Sequence, residues 1–282
     1  MANLSSNRAV SDSRNIDTNL QSSIYFNYSK LSNPNVDKNN IYSPSNLSDN
    51  LKSNNFKILH QNIRGIFHKT DEFWTSLTHT SPHVLCLTEH HLRSDELKNI
   101  NLGQYTLGAQ YCRQSYKQGG VSIFVSSNIQ FHAINHDHFN KEKDLEICAL
   151  KIGLPQKNFI IICIYRSPTG NFKYFIYQLE VILNSLYKGS TNLILCGDFN
   201  INHFDESSRK HLLESVLASF NQFSTVTFPT RIATNSSTLI NNIYIDINSC
   251  NFTVYPLING LSDHDAQVIK VSNLYNIKTK NQ

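Results

Sequence analysis

Short apolar runs that end abruptly in polar side chains recur along the chain from about residue 55 onward. In one of them, Leu193–Gly197, the run is followed by Asp198 and Asn200. Such a run predicts a buried strand, and side chains two residues apart in extended chain point to the same side. Gly197 would let the backbone approach a ligand closely. Taken alone, however, the pattern is more typical of a strand followed by an Asx turn.

Polar or ionisable side chains also stand at the ends of four further predicted strands. They are Asn62 and Arg64 after the strand that starts at Phe56, Glu89 after Val84–Leu87, Tyr165 and Arg166 at the end of the strand that starts at Asn158, and Asp263 with His264 before the strand that contains Val268. An acid directly beyond a buried strand costs stability unless a cation meets it. For Glu89 alone, a metal ligand and a solvated loop acid are equally good interpretations. The repetition at five strand ends is what favours a common site.

Helical segments alternate with the predicted strands. Apolar residues recur at helical spacing in residues 71–80, 173–187 and 208–220. The buried face of the last segment is predicted to consist of Leu212, Leu213, Val216, Leu217 and Phe220. Residues 105–125 predict a hairpin, and the runs at 146–152 and 158–168 predict an antiparallel pair.

Length and composition indicate one large domain. The chain has 282 residues, of which 40% are hydrophobic and 16% charged, enough for a single full core. Residues 1–54 are rich in Asn, Ser and Asp, show neither a helical nor a strand period, and predict a disordered tail. We therefore expect an ordered domain at residues 55–275, followed by a short tail at residues 276–282.

Charge and cysteine content restrict the setting of the protein. The formal net charge of +4 permits an anionic partner without proving one. The six cysteines form no CxxC pair, and four of them lie in apolar runs, which predicts buried thiols in a reducing compartment. The chain starts without an apolar signal segment and has no apolar run long enough for a bilayer. We expect an intracellular protein, nuclear or cytoplasmic, that is neither secreted nor associated with a membrane.

Several histidines and a basic aromatic loop have ordinary explanations. His90 and His91 are predicted to be exposed loop residues rather than zinc ligands, and His132, His136 and His138 are predicted to lie in a solvated loop. In the loop of residues 111–120, Arg113 and Lys117 could reach a phosphate backbone. For any single cation, however, keeping a loop soluble is the more frequent role.

Five motifs occur in an order that resembles a known superfamily. They are QNIRG with Asn62, LTEHHL with Glu89, IYRSP with Tyr165, GDFN with Asp198 and Asn200, and SDHDAQ with Asp263 and His264. Their order and rough spacing resemble the endonuclease/exonuclease/phosphatase superfamily from Phe56 to Val271. IYRSP, SDHDAQ and FPTR followed by NSSTLINNIY are most similar to the endonuclease domain of insect non-LTR retrotransposons of the jockey type. One GDFN is a weak signal, whereas five motifs in order are a strong one.

The resemblance implies a fold and an activity. The fold would be α/β, a four-layer α/β/β/α sandwich of two mixed β-sheets of the DNase I-like kind, with the site in the strand-end loops at one edge. The activity would be that of a DNA endonuclease that nicks duplex DNA and leaves a 3′-hydroxyl. The implied cofactor is Mg²⁺, a cation that prefers oxygen ligands, and Mn²⁺ could also serve.

The resemblance also implies a role for each residue that matches a motif. Glu89 and Asn62 would hold the metal ion, with Asp263 near the metal or the base. Asp198 would orient and deprotonate the attacking water, and Asn200 would donate to the phosphate. Tyr165 and His264 would neutralise charge that grows in the transition state. The DNA backbone would pass four arginines in strand-end loops, namely Arg64, Arg113, Arg166 and Arg231.

One position departs from the superfamily pattern. Where the resemblance leads us to expect an acid in a segment like TLIDNI, this chain has Asn241 in TLINNI. That acid would orient and charge the catalytic His264. An amide can hydrogen-bond the ring but cannot stabilise an imidazolium as a carboxylate does. We therefore predict weakened nicking.

Two other functions remain open from the sequence. Asn241 favours a DNA-binding remnant that has lost its chemistry. The second alternative is a relative that acts on another phosphate ester, such as an abasic-site nuclease, an RNA deadenylase or a phosphoinositide phosphatase. The motif SDHDAQ, which is most similar to retrotransposon endonucleases, disfavours this alternative. We also expect no reverse transcriptase domain in this chain, which would then be a separated domain, a truncated element copy or a host-adopted gene.

Overall fold

The computed structural model describes residues 55–154, 157–188 and 192–272. The two predicted tails, residues 1–54 and 276–282, lie outside the described residues.

Fourteen strands and four α-helices make up the described part of the chain. The strands are β1 (Phe56–Asn62), β2 (Val84–Thr88), β3 (Tyr105–Tyr111), β4 (Val121–Ser126), β5 (Phe131–Ile134), β6 (Glu146–Gly153), β7 (Asn158–Tyr165), β8 (Asn192–Asp198), β9 (Phe223–Ser224), β10 (Arg231–Ala233), β11 (Ser236–Thr238), β12 (Asn241–Ile245), β13 (Asn251–Leu257) and β14 (Ala266–Ser272). The helices are α1 (Thr70–Leu77), α2 (Ser94–Lys98), α3 (Phe172–Leu186) and α4 (Ser208–Ala218). None of the helices in these ranges is long and apolar enough to cross a membrane.

The strands form two six-stranded mixed sheets and a separate hairpin. The order of the first sheet is β13-β14-β1-β2-β4-β3, and that of the second is β5-β6-β7-β8-β12-β9. Each sheet has one parallel pair, β1 with β2 and β7 with β8, among antiparallel neighbours. The hairpin of β10 and β11 stands apart from both sheets. The predicted hairpin of residues 105–125 is the antiparallel pair β3 and β4, and the second predicted pair is β6 and β7.

Alternation along the strands produces four layers. In β1, Ile58 faces a core between the two sheets, whereas its neighbour Leu59 faces a second core beneath α1 and α2. A third core packs the outer face of the second sheet against α3 and α4. A strand that is covered on both faces reads as an unbroken apolar run, which is why β2 and β8 lack polar alternation. The predicted α/β/β/α sandwich is therefore confirmed.

Local packing corrects two expectations from the sequence. Gly197 serves the contact between strands rather than a ligand, because a Cβ atom there would lie 2.2 Å from the carbonyl oxygen of Ile164 on β7. Leu212 on α4 is 46% exposed, whereas Leu213 and Leu217 are buried as predicted. The four cysteines of the apolar runs, Cys86, Cys148, Cys163 and Cys196, are buried free thiols.

Candidate active site

The strand ends singled out in the sequence meet at one edge of the sandwich. Asn62 ends β1 and Glu89 follows β2 in the first sheet, whereas Asp198 ends β8 in the second. The side-chain nitrogen of Asn62 lies 2.9 Å from Glu89 Oε1 and 2.7 Å from Asp198 Oδ2. One amide therefore donates to two carboxylates that belong to different sheets.

Glu89 is held as a carboxylate. Its backbone is left-handed, with φ of 52°, and His91 Nε2 lies 3.2 Å from its second oxygen. Burial alone would raise the pKa of Glu89, but hydrogen bonds from His91, Asn62 and Tyr165 outweigh burial and lower the pKa to about 2. The side chain is ionised at neutral pH and presents oxygens of the type that a hard cation prefers.

Asp198 lies in a very different environment from Glu89, although the two are neighbours. It is fully enclosed, and Oδ1 accepts a hydrogen bond from the backbone N–H of Asn200 at 3.0 Å. Burial, and then the charge of Glu89, raise the pKa of Asp198 to about 7 in spite of the bonds from Asn62 and Asn200. A carboxylate with a pKa near neutrality is suited to accept a proton.

The side chain of Asn200 supports the site rather than pointing freely into it. Its φ of 50° places the residue in the left-handed region, and Nδ2 donates to the carbonyl oxygen of Arg166 at 2.8 Å. A primary amide has two N–H groups, so a second donor is compatible with the predicted contact to a phosphate.

His264 is buried between three polar neighbours. Its Nδ1 lies 3.2 Å from Asn241 Oδ1 and 4.0 Å from Asp198 Oδ2, and its Nε2 lies 3.9 Å from Asp263 Oδ1. Burial lowers the pKa of His264 to about 4, although the charges of Asp263 and Glu89 act in the opposite direction. The imidazole is therefore neutral at neutral pH.

Asn241 occupies the position that the sequence pattern indicated. It lies on β12 directly opposite Asp198, is fully buried, and uses its oxygen toward His264. Its side-chain nitrogen has no hydrogen-bond partner among the described residues. A buried N–H group without a partner is costly, and a carboxylate would not carry one.

Asp263 faces two arginines. Its Oδ1 lies 2.7 Å from Arg64 Nη1 and its Oδ2 lies 2.8 Å from Arg231 Nε. Burial would raise the pKa of Asp263, but these two arginines lower it to about 2. The structure thus groups Asp263 with the exposed arginines, while Glu89 and Asn62 form the direct pair.

Tyr165 hydrogen-bonds to Glu89, and Arg113 lies next to the Tyr165 ring. Burial, followed by the charges of Glu89 and Asp198, raises the pKa of Tyr165 well above its usual value, so the phenol stays protonated. The guanidinium carbon of Arg113 lies 5.6 Å from the centre of the Tyr165 ring, and Nε donates to the buried Glu146 at 2.7 Å. The expectation that Arg113 lies where a DNA backbone passes is corrected, because its charge is buried and paired with Glu146.

Arg166 requires the same correction. It is fully buried, and its guanidinium donates to the carbonyl oxygens of Phe199 at 2.9 Å, Asn200 at 2.9 Å and Gly170 at 3.3 Å. These bonds fix the loop after β8, which carries Asn200. Arg166 therefore positions the site, and of the four predicted DNA-binding arginines only Arg64 and Arg231 are well exposed.

Comparison with known proteins identifies the family of the chain. The model of the Endonuclease/Exonuclease/phosphatase family matches residues 50–264. The chain belongs to this family. No curated protein matches the chain significantly.

Solved structures of this family share the fold. The endonuclease domain of TRAS1, a telomere-specific non-LTR retrotransposon, has a TM-score of 0.63 at 14% identity and covers 78% of this chain and 100% of its own. AP endonuclease LMAP from Leishmania major has a TM-score of 0.61 at 11% identity, and the match covers 83% of this chain and 92% of LMAP. The 3′-5′ exonuclease NExo from Neisseria meningitidis has a TM-score of 0.60 at 15% identity, and the match covers 77% of this chain and 100% of NExo.

The histidine predictions for this family member were partly wrong. His91, expected to be an exposed loop residue, contacts Glu89, and its position two residues after that acid was an available signal. His90 is fully buried and lies 3.2 Å from the carbonyl oxygen of Tyr111. His136 is also buried. His132 and His138 are exposed as predicted, although His132 lies on β5 rather than in a loop.

Glu146 is a residue of the site that the sequence reading missed. It accepts hydrogen bonds from the backbone N–H groups of Gly120 at 2.6 Å and Lys143 at 3.0 Å in addition to Arg113. Burial raises its pKa despite these partners. An acid that opens the apolar run EICALKI was the signal, because an ionisable group in a buried strand needs partners.

Proposed function

We propose that the chain is a metal-dependent DNA endonuclease that hydrolyses one phosphodiester of duplex DNA and leaves a 3′-hydroxyl. The observation that carries this proposal is the amide of Asn62, which joins Glu89 at 2.9 Å to Asp198 at 2.7 Å across the two sheets. A retrotransposon endonuclease domain among the similar folds supports DNA as the substrate.

The donor set fits Mg²⁺ better than a cation that needs many protein ligands. Residues 55–154, 157–188 and 192–272 contain no group of three or more His, Cys, Asp or Glu arranged to hold a metal ion. Mg²⁺ is commonly held by one or two carboxylates and keeps several waters. Glu89 is ionised, and its charge raises the pKa of Asp198, so a cation beside them would relieve the repulsion. Glu89 and Asn62 would hold Mg²⁺, or Mn²⁺ in its place.

The side chains around the metal-binding pair would supply the general base and the hydrogen-bond donors of the reaction. A bound cation would supply polarisation of the phosphodiester and stabilisation of the leaving alkoxide. Asp198, with its pKa of about 7, would orient a water and take its proton. The protonated phenol of Tyr165 and the second N–H of Asn200 would donate to phosphate oxygens. Burial keeps the pKa of His264 at about 4, so the ring is neutral and its single N–H, at Nδ1, donates to Asn241 Oδ1. Nε2 would therefore donate to a phosphate oxygen only after the ring is protonated.

The proposed activity is weakened by Asn241. A neutral amide 3.2 Å from His264 Nδ1 can orient the ring but cannot stabilise positive charge on it. Charge that grows on the phosphate would therefore meet a neutral ring with no N–H at Nε2 instead of an imidazolium.

Cleavage of supercoiled plasmid tests the proposal. Purified protein is incubated with the plasmid in Mg²⁺ and in EDTA, and nicked products are tested for extension by a DNA polymerase, which requires a 3′-hydroxyl. Abasic duplex, poly(A) and inositol phosphates serve as competing substrates. We expect slow nicking of plasmid in Mg²⁺, and none in EDTA or with Asp198→Asn. Cleavage that persists in EDTA would contradict the proposed metal dependence. Turnover of a competing substrate without nicking of plasmid would contradict duplex DNA as the substrate.

A second candidate is a DNA-binding protein that no longer cleaves. The buried side-chain nitrogen of Asn241 without a partner favours it, because this is a defect at the position that would charge His264. Binding of duplex DNA without nicking in either Mg²⁺ or Mn²⁺ would identify this case.

A further inference from the structure

The loop between β3 and β4 is fixed to the candidate active site at both of its ends. Near its start, Arg113 is buried against Glu146 and lies 5.6 Å from the centre of the Tyr165 ring. Near its end, the carbonyl oxygen of Gly119 accepts a hydrogen bond from the backbone of His91 at 3.0 Å. The middle of the loop is therefore carried on the rim of the site.

The middle of this loop is also fixed. Glu142 accepts hydrogen bonds from three consecutive backbone N–H groups, those of Gln114 at 2.6 Å, Ser115 at 2.9 Å and Tyr116 at 2.9 Å. Three bonds to one carboxylate hold this turn in a single conformation, because each bond is charge-assisted. The backbone position from which Tyr116 projects is thereby fixed.

The fixed turn presents an aromatic ring and a positive charge together. Tyr116 is 47% exposed, and the ammonium nitrogen of Lys143 lies 3.4 Å from the centre of its ring. Lys143 has a left-handed backbone, with φ of 72°. Its N–H donates to Glu146 at 3.0 Å and its carbonyl oxygen accepts from Ser167 at 2.8 Å, so the strained conformation is held from both sides. The exposed ring and the ammonium therefore lie side by side on a turn whose backbone is fixed.

The ring lies within reach of DNA bound at the site. Tyr116 is three residues from both Arg113 and Gly119, and three residues span at most about 11 Å. One strand of DNA advances about 3.4 Å per nucleotide along the helix axis. The Arg113 side chain and the 5.6 Å from its guanidinium to the Tyr165 ring add to that span. The ring is therefore within roughly seven nucleotides of a phosphate held beside Tyr165 and Glu89.

We propose that Tyr116 is a stacking platform, on the ring face away from Lys143, for an unpaired nucleobase of a DNA strand bound at the site, with Lys143 placed for a neighbouring phosphate. This inference rests on the proposed function. Every base has an aromatic face, so stacking on a tyrosine is tolerant of sequence. In an intact duplex those faces are covered by neighbouring bases. The platform therefore favours DNA with a bulged or frayed base near the cleavage position.

Binding to two matched DNA duplexes tests the platform. One duplex is fully paired, the other carries a single bulged 2-aminopurine, a base analogue whose fluorescence falls when it stacks, and both are measured in EDTA to prevent cleavage. Tyr116→Ala removes the ring, Tyr116→Phe keeps it, and Tyr177→Ala removes a tyrosine that is 63% exposed on α3. Circular dichroism confirms that each variant is folded.

Loss of one stacked base weakens binding by roughly 5- to 150-fold. We expect Tyr116→Ala to raise the Kd for the bulged duplex by this factor, to abolish the quenching of 2-aminopurine, and to leave the Kd for the paired duplex within about twofold. Tyr116→Phe and Tyr177→Ala should match the unaltered protein. Equal Kd values for Tyr116→Ala and the unaltered protein on the bulged duplex, or equal weakening on both duplexes, would overturn the platform while leaving the endonuclease proposal standing. If the unaltered protein binds neither duplex in EDTA and neither binds nor cleaves DNA in Mg²⁺, the proposed function itself fails.

Discussion

Asn241 Oδ1 lies 3.2 Å from Nδ1 of His264, inside the protein and directly across the strand pair from Asp198. The imidazole thus has an amide on one side and a carboxylate at 4.0 Å. With the side-chain nitrogen of Asn241 lacking a partner among the described residues, the contact orients the ring without charging it.

Asn241→Asp should increase nicking. A carboxylate beside Nδ1 favours the imidazolium, so the pKa of His264 should rise from about 4 by roughly one to three units. Nicking of supercoiled plasmid in Mg²⁺ should increase about tenfold or more, since the comparable pair in serine proteases is worth about ten-thousandfold. NMR titration of the histidine ring measures the pKa independently of activity.

Asn248→Asp is the matched control for that variant. It adds the same charge at an exposed turn after β12. It should change neither the His264 titration nor the nicking rate. If Asn241→Asp raises the pKa of His264 and nicking does not increase, Asn241 is not what limits the activity.

Asp198→Asn should abolish nicking and, at alkaline pH, increase the thermal stability of the metal-free protein. The pKa of Asp198 is raised to about 7, above an unfolded value near 3.9. For a carboxyl group with a raised pKa, the contribution to stability is fully present below about pH 4 and is lost as the pH rises through 7. The variant should therefore unfold at a higher temperature than the unaltered protein at pH 8, and this difference should shrink toward pH 4.

Thermal unfolding in EDTA at several pH values measures this effect. Asp205→Asn, which removes an exposed carboxylate, should show no comparable pH dependence. A variant of Asp198 that is less stable than the unaltered protein at pH 8 would show that the carboxylate is not under the strain inferred from its burial beside Glu89.

Substitutions at Glu89 and Asp263 should affect metal binding to different extents. Glu89→Gln removes the charge that Asn62 and His91 hold in place, whereas both oxygens of Asp263 contact arginines. We expect Glu89→Gln to weaken Mn²⁺ binding, measured by paramagnetic resonance without DNA, at least about tenfold, and Asp263→Asn to weaken it less. Equal losses would place Asp263 in the metal site, as its sequence motif suggests.

The exposed arginines should control the salt dependence of DNA binding. Arg64 and Arg231 have 48% and 40% of their side chains exposed. Replacing either with alanine should lower the slope of log Kd against log salt by about one, because each phosphate contact releases counterions. Lys151→Ala removes an exposed cation from β6 and should leave the slope unchanged. An unchanged slope for both arginine variants would remove them from the DNA interface.

Arg166→Ala should destabilise the fold. The guanidinium is buried on three carbonyl oxygens of the loops around Asn200, and the variant would leave these acceptors without partners. We expect the free energy of unfolding in urea to fall by about 3 kcal/mol. Lys173→Ala, which removes an exposed cation from α3, should stay within about 0.5 kcal/mol of the unaltered protein. A similarly small change for Arg166→Ala would restore a surface role for that arginine.

Short-range patterns in the sequence determined the elements and the layer type of this protein. Apolar runs such as Leu193–Gly197 identify strands because a strand covered on both faces excludes polar residues, and helical spacing identified α3 within one residue at each end. The motif order around Glu89 and Asp198 identified the superfamily, and the family match supports that prediction. These signals lie within short segments of the chain, so they can be recognised without knowledge of the fold.

Tertiary structure alone decided which charges are free. Arg113 and Arg166 look like surface cations in their loops, yet both are buried because Glu146 and a set of carbonyl oxygens lie across from them in distant segments. Tyr116 likewise gained its position from the contact of its backbone with Glu142. Burial and pairing depend on residues far away along the chain, so periodicity and spacing carry no information about them. The pKa difference between Glu89 and Asp198 also depends on distant residues. Burial and the charge of Glu89 raise the pKa of Asp198, whereas hydrogen bonds from His91, Asn62 and Tyr165 lower that of Glu89.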